Sequence, residues 1–266
     1  MARMKDNDDL GRRMKAYEAV ETERRLDPWL PIYARIDGRS FSSFTKGMDR
    51  PFDARMTTAM IETTKHLVHE TDARIGYTQS DEISLVWLSG TPESDIIFSG
   101  RIQKLVSVLA SMAAAKFATV CPVGFEHKLP HFDCRLFQLP TKEEAANALL
   151  WRAMDARKNA ISMVAQSHFP HEKLQGKDQK TMLGMLNEIG IQFDEFSDAF
   201  RRGSFIQRFA IERTLTADEL ANIPKEHRPT GPVMRQEMRI IDMPPFNRVT
   251  NRVEVIFDGK APSQSL

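Results

Sequence analysis

The chain has 266 residues, 41% of them apolar and 27% charged, and 37 basic residues balance 36 acidic ones to a net charge of +1. That composition argues against disorder and suffices for one large domain or two that share a core. It also argues against a uniformly basic polyanion binder, so any nucleic-acid contact needs a local patch.

No stretch approaches the ~20 apolar residues of a membrane span, and the charged N-terminus is unlike a signal peptide. A cytoplasmic location with no membrane partner is expected. Two cysteines, Cys121 and Cys134, make no disulfide framework, which fits a reducing compartment.

Residues 1–28 carry sparse apolar positions, Met14, Tyr17 and Val20, among many charges and predict a surface helix before Pro28. Next, Ile32, Ala34 and Ile36 alternate with Tyr33, Arg35 and Asp37, the period of a strand with one face on a core. Asp37 therefore points away from that core. Gly38 ends the strand, and residues 39–44 read as a polar turn with two aromatics. A glycine there lets backbone approach a ligand, and the N–H groups after it can cradle phosphate oxygens.

Asp53 suits the N-cap of a helix with Met56, Ala59, Met60, Thr63 and Leu67 on one face. His66 and His69 have the spacing of a one-turn metal pair but no third ligand nearby in sequence. Residues 74–77 and 82–88 predict a hairpin with Ser80, Asp81 and Glu82 at its turn. The stretch from Asp37 to Asp81 has the pattern of one strand-helix-strand excursion, able to bring Asp37 beside Asp81 and Glu82.

A Gly/Pro/Ser loop over 89–98 precedes a helix with Ile102, Leu105, Val106, Leu109, Met112 and Ala113 on one side. Arg101 and Lys104 share a neighbouring face, suited to solvent or to phosphate. Cys121, His127, His131 and Cys134 have the composition of a zinc site, but their spacing matches no common structural-zinc pattern, and Cys134 falls in a predicted strand over 132–139. Zinc is not the preferred reading, and it stays open from sequence.

A helix over 143–165 collects Ala146, Leu149, Leu150, Ala153, Ala160, Ile161 and Val164 on one side, with Arg152, Asp155 and Asn159 opposite as a solvated face. Arg157 falls within the apolar stripe, where a charge needs an anion, a carboxylate or water. Lys173, Lys177, Lys180, Arg201, Arg202 and Arg208 are candidates for the local positive patch. From Ile223 the chain is Pro-rich, and it closes with a predicted strand over 252–257.

Three of these carboxylates suit phosphoryl chemistry. Asp37, the Gly38 carbonyl and Asp81 make a half-shell for Mg²⁺, which prefers carboxylate and carbonyl oxygens. Lys46, Arg101 or Lys104 would hold a triphosphate. The chain has no G-x-x-x-x-G-K-[ST] run and no G-x-G-x-x-G after a strand, which points away from a P-loop nucleotidase and a dinucleotide fold.

The wording is more specific than the composition. Arg35-Ile36-Asp37-Gly38-Arg39 with Phe41 and Phe44, then Gln79-Ser80-Asp81-Glu82 with Ser84, closely resemble the tRNA-His guanylyltransferase family, including its guanylyltransferase-like members in bacteria, archaea and phage. Lys104, Phe132-Asp133-x-Arg135, Pro140, Trp151-Arg152-x-x-Asp155-x-x-x-Asn159, Leu174-x-Gly176 and Arg202-Gly203 extend the resemblance over about 30–205.

The resemblance implies an α+β fold: a polymerase-like palm domain over 1–140, with antiparallel sheet and packed helices, and a smaller, mostly helical C-terminal part over 141–266 that contacts RNA and nucleotide. It implies a nucleotidyltransferase that extends the 5′ end of tRNA in the 3′-to-5′ direction. ATP or GTP activates a 5′-monophosphate before the 3′-hydroxyl of an incoming nucleotide attacks.

In that pattern Asp37, Gly38 and Asp81 hold two Mg²⁺, with Glu82 beside them. Gly38, Arg39, Ser40, Phe41, Ser42 and Ser80 contact nucleotide, while Lys46, Arg101 and Lys104 contact triphosphate. Arg152, Arg157 and Asn159 are the implied RNA contacts, and a homotetramer is the implied assembly.

Two departures point to general 5′-end repair of truncated tRNA ahead of dedicated tRNA-His guanylylation. Arg157-Lys158-Asn159-Ala160 stands where eukaryotic members have His-x-Asn-Asn, and Ser42 stands where they have histidine. The alternatives are a palm-fold nucleotide cyclase and a non-catalytic RNA-binding module. The second of these is disfavoured by clustered carboxylates, which are costly without a cation.

Overall fold

The structure, a computed structural model, describes residues 3–89 and 96–264. In chain order its helices and strands are α1 (Arg3–Thr22), β1 (Ile32–Gly38), α2 (Phe41–Phe44), α3 (Ala54–Thr71), β2 (Ile75–Gln79), β3 (Glu82–Trp87), α4 (Ile102–Thr119), β4 (Phe132–Gln138), α5 (Lys142–His168), α6 (His171–Leu174), α7 (Gln179–Glu188), α8 (Asp198–Arg202), β5 (Ser204–Arg213), α9 (Ala217–Ala221), β6 (Val233–Ile240) and α10 (Arg252–Asp258). No helix among the described residues is long and apolar enough to cross a membrane.

The strands form one six-stranded sheet in the order β4-β1-β3-β2-β5-β6, with every pairing antiparallel. On one face α3 and α4 bury Ile36, Ala34, Leu85, Met60, Leu109 and Phe117. On the other, α5 and α10 bury Tyr33, Tyr77, Val86, Leu149 and Val255. Alternation in β1 thus serves two cores, and the side away from the first is a second packed layer that opens toward Asp37 and along β4. A third cluster joins the later half of α5 to α7 and the aromatics Phe193 and Phe200.

The β2–β3 hairpin and the Asp53 cap form as expected; the Asp53 side chain accepts from the Arg55 N–H at 2.9 Å. Elsewhere the structure differs. Residues 39–44 hold a helical turn, α2, with both aromatic rings buried. The closing segment 252–257 is a helix: its apolar positions fit either period over so short a run, and the Gln207 side chain donates to the carbonyls of Val255 and Ile256 at 2.8 and 3.2 Å.

β5 and β6 carry no clear sequence signal, and they extend the sheet past residue 140 into the second half of the chain. The expected loop over 89–98 lies mostly outside the described residues. Nor do the later arginines form a free patch. Arg201 and Arg202 pair with Asp198, and Arg208 donates to the last carbonyls of α3 and pairs with Asp72.

Candidate active site

The ends of β1 and β3 meet as the sequence spacing predicts. Asp37 lies directly opposite Glu82, and the Gly38 N–H donates to the Asp81 carbonyl at 3.0 Å. Ser80 takes a left-handed φ of 53°, which turns the hairpin back on itself and sets Asp81 beside Gly38. Burial and the nearby Asp37 charge push the Asp81 carboxyl up to about 6, and burial with the Asp133 charge raises Asp37.

Glu82 differs from its two neighbours. Its carboxylate is gripped by Arg152 through two hydrogen bonds of 2.7 Å, and the same guanidinium bonds Asp155 at 3.0 Å. Among the described residues no lysine or arginine bonds Asp37 or Asp81. Two crowded carboxylates with no cation bonded to them are what a divalent cation would relieve, and on that ground Asp37 and Asp81 fit Mg²⁺ while Glu82 serves as an anchor for α5. Arg152, expected to meet RNA from a solvated face, is instead turned toward the sheet.

Gly38 has a structural reason of its own. A Cβ there would lie 2.4 Å from the Phe41 ring, which packs against Phe44, Phe132 and Phe117 at centroid distances of 4.9, 5.0 and 5.5 Å. Phe41, expected to contact nucleotide, thereby holds α2 against the strand end, and it also lines a cleft beside Asp81. Arg39 and Ser40 lead into α2, the Arg39 N–H bonded to the His131 carbonyl at 2.8 Å. Lys46 is exposed just beyond it. Lys128, a residue with no sequence signal, donates from Nζ to the carbonyls of Phe44 and Lys46 at 2.5 and 3.1 Å and so closes the open end of α2.

Beside Asp81 a cleft of about 440 Å³ opens between α2, the start of α3, the hairpin turn and the later half of α5. Ser42, Thr45, Gln79, Ser80 and Asp81 line its rim, and Met48, Met56, Met60, Phe52 and Phe200 its floor. The size and the mixture of apolar floor and polar rim suit a nucleoside.

The remaining expected contacts are dispersed. Arg101 and Lys104 sit at the start of α4, whereas Phe117, near its end, packs on Phe41. Thirteen residues at the helical rise separate Lys104 from Phe117 by about 20 Å, which puts both cations at the opposite end of α4 from the Phe117–Phe41 contact. Lys104 instead lies 5.0 Å from the Phe98 ring. Arg157 and Asn159 are exposed on α5, Arg157 over the Phe193 ring at 5.2 Å.

No three His, Cys, Asp or Glu side chains gather as a metal cage among the described residues. Cys121, His127, His131 and Cys134 therefore form no common site, and burial pushes the Cys134 thiol up to about 12. Asp133 and Arg135 do stand on the Asp37 side of the sheet, paired in register with Asp37 and Arg35. The strict alternation of β4 was the signal that could have found them.

A sequence profile described as tRNA-His guanylyltransferase matches residues 11–140. A solved bacterial tRNA(His) guanylyltransferase-like protein in complex with ATP is 38% identical, with a TM-score of 0.71 over 75% of this chain and 87% of that one. Another, in complex with GTP, is 31% identical, with a TM-score of 0.73 over 90% of this chain and 94% of its own. The tRNA(His) guanylyltransferase of Schizosaccharomyces pombe is 29% identical over 217 residues, 74% of this chain and 82% of the relative. With the antiparallel sheet and the carboxylates at its strand ends, these likenesses define a palm-type nucleotidyltransferase. The chain belongs to the tRNA-His guanylyltransferase family.

Proposed function

We propose that this nucleotidyltransferase adds nucleotides to the 5′ end of tRNA in the 3′-to-5′ direction, with Mg²⁺ held by Asp37, Asp81 and the Gly38 carbonyl. The observation that carries the reading is the contrast at the strand ends: among the described residues no cation bonds Asp37 or Asp81 while Arg152 bonds Glu82 twice, and a nucleoside-sized cleft opens beside Asp81. When bound, the metal supplies charge stabilisation for phosphate oxygens.

The chain's own residues do the rest. The cleft takes the base and sugar of ATP or GTP, the nucleotides held by the solved bacterial relatives. Ser42 and Ser80 offer hydroxyls at its rim, and the Ser80 turn aims Asp81 at the phosphates. Glu82, locked to Arg152, fixes the angle at which α5 crosses the strand ends. The polymer substrate is a tRNA whose 5′ end reaches Asp37, and with Ser42 and Arg157 in their positions truncated tRNA is favoured over tRNA-His alone. Arg101 and Lys104 act on a triphosphate only if a second copy brings them to the site, in keeping with a homotetramer in the cytoplasm.

The test is incubation with Mg²⁺, ATP, GTP and a 5′-monophosphorylated tRNA lacking its first nucleotide, read on a sequencing gel. Extension by one nucleotide that follows the opposing base, reduced about 10³-fold in Asp37→Ala, is the expected result. A cyclic dinucleotide made from GTP alone, or extension confined to full-length tRNA-His, would overturn it.

A further inference from the structure

On the Asp37 side of the sheet, β1 and β4 present three in-register pairs: Tyr33 opposite Phe137, Arg35 opposite Arg135, and Asp37 opposite Asp133. Directly opposed residues of an antiparallel pair share a face, and the Tyr33 and Phe137 rings stack at 5.1 Å in agreement. Helix α5 covers the β1 and β3 part of this face and leaves β4 open, so Asp133, Arg135 and Phe137 are exposed at the edge of the sheet.

The middle pair is unusual. Two like charges facing each other across a strand pair are unfavourable unless something neutralises them. The nearest approach to a carboxylate is Arg135 to Asp133 at 3.7 Å, beyond hydrogen-bond distance, with the Arg135 side chain 56% exposed. The Arg35 guanidinium lies over the Trp151 ring at 5.5 Å, and among the described residues it bonds no carboxylate.

Trp151 is the second independent feature. Arg152, fixed by Glu82 and Asp155, also lies against the indole, 4.7 Å from its centroid, yet the residue stays 51% exposed. The ring is thus rigidly mounted and bare beside the arginine pair. That pair stands two residues, roughly 7 Å, back from the aspartates. The nucleoside cleft opens instead between α2, α3 and the later half of α5. A flat, open shelf with paired cations and a bare aromatic suits a polymer strand rather than a small molecule.

We infer that Arg35, Arg135 and Trp151 form a shelf for the 5′-terminal stretch of the accepting RNA strand, a phosphate seated between the two guanidiniums and a nucleobase stacked on the indole. The assignment rests on the function proposed above and adds the path of the RNA to it. Arg35 and Arg135 neutralise the phosphate behind the reacting end, and Trp151 limits how far the strand can slide.

The test measures affinity for a 5′-monophosphorylated tRNA lacking its first nucleotide, over a range of salt, in wild type, Trp151→Ala, Trp151→Phe and Arg135→Gln. Affinity for GTP and the thermal midpoint are followed in parallel. Trp151→Ala is expected to weaken RNA binding roughly 5- to 100-fold with an unchanged salt slope, and Trp151→Phe to restore most of it. Arg135→Gln is expected to lower the slope of log affinity against log salt by about 0.7, with GTP binding unchanged. Wild-type RNA affinity and salt slope in folded Trp151→Ala and Arg135→Gln would overturn the shelf while leaving 5′ extension intact as a reading. A wild-type protein that neither binds nor extends the RNA would remove both.

Discussion

The two faces of the β1–β4 pair are made by the same residues in alternation, and they do opposite things. On the α4 side, Ala34, Ile36, Phe132 and Leu136 close against Phe117, Phe41 and Phe44 in the apolar core. On the α5 side, the same strands carry aromatic, arginine and aspartate pairs, with Tyr33 buried, Arg35 and Asp37 half-buried and all three β4 members exposed. The closed face supplies the hydrophobic stabilisation that lets the other hold uncompensated charge at its end. Stability and chemistry are thus separated by the thickness of one strand.

Phe117→Ala should break the closed face most severely. The fully buried ring touches Phe41, Phe44 and Phe132, so a loss of about 3–5 kcal/mol is expected in denaturant melts. Phe137→Ala, on the open face and 37% exposed, should cost under about 1 kcal/mol; equal losses would erase the contrast.

Arg152→Met would sharpen it from the other side. The pair it breaks is 12% and 14% exposed, and leaving Glu82 buried without its cation should cost about 3 kcal/mol. Because the freed Glu82 joins the uncompensated group, the melting temperature of this variant should respond more strongly to added Mg²⁺ than that of wild type. An identical response would show that Glu82 is no part of that field.

Gly38→Ala is a smaller intrusion, and it acts where the faces meet. Its Cβ must displace the Phe41 ring, for which overpacking costs about 1–3 kcal/mol. Nucleotide affinity should fall with stability as α2 shifts; unchanged affinity would mean that α2 does not shape the cleft.

The subtlest effect is on pH. Asp81 is raised to about 6, so the folded protein keeps that proton to a higher pH than the unfolded chain does. Stability of the metal-free protein from this group is therefore full below the unfolded carboxyl range and falls as pH rises through about 6. Asp53, lowered to about 2 by Arg55, works in reverse, and its contribution fades only on strong acidification. Melting curves at pH 5 and 7.5 should show Asp81→Asn gaining on wild type at the higher pH, and Mg²⁺ should stabilise wild type more at 7.5 than at 5. A constant difference between the two proteins would remove the charge crowding inferred for the site.

The sequence by itself determined the local parts: the alternation of β1 and β3, the Asp53 cap, the hairpin turn at Ser80, and the presence of Asp37 and Asp81 at strand ends one excursion apart. Those are set by periodicity and turn chemistry within a few residues. Only the tertiary structure decided the long-range matters. It paired Glu82 with Arg152, 70 residues away. It sent Arg101 and Lys104 to the far end of α4, joined β5 and β6 to the sheet, made a helix of 252–258, and set Arg135 opposite Arg35. Each depends on which surfaces meet once the layers pack, and a side chain's neighbours across a sheet or between helices leave no period in the residues beside it.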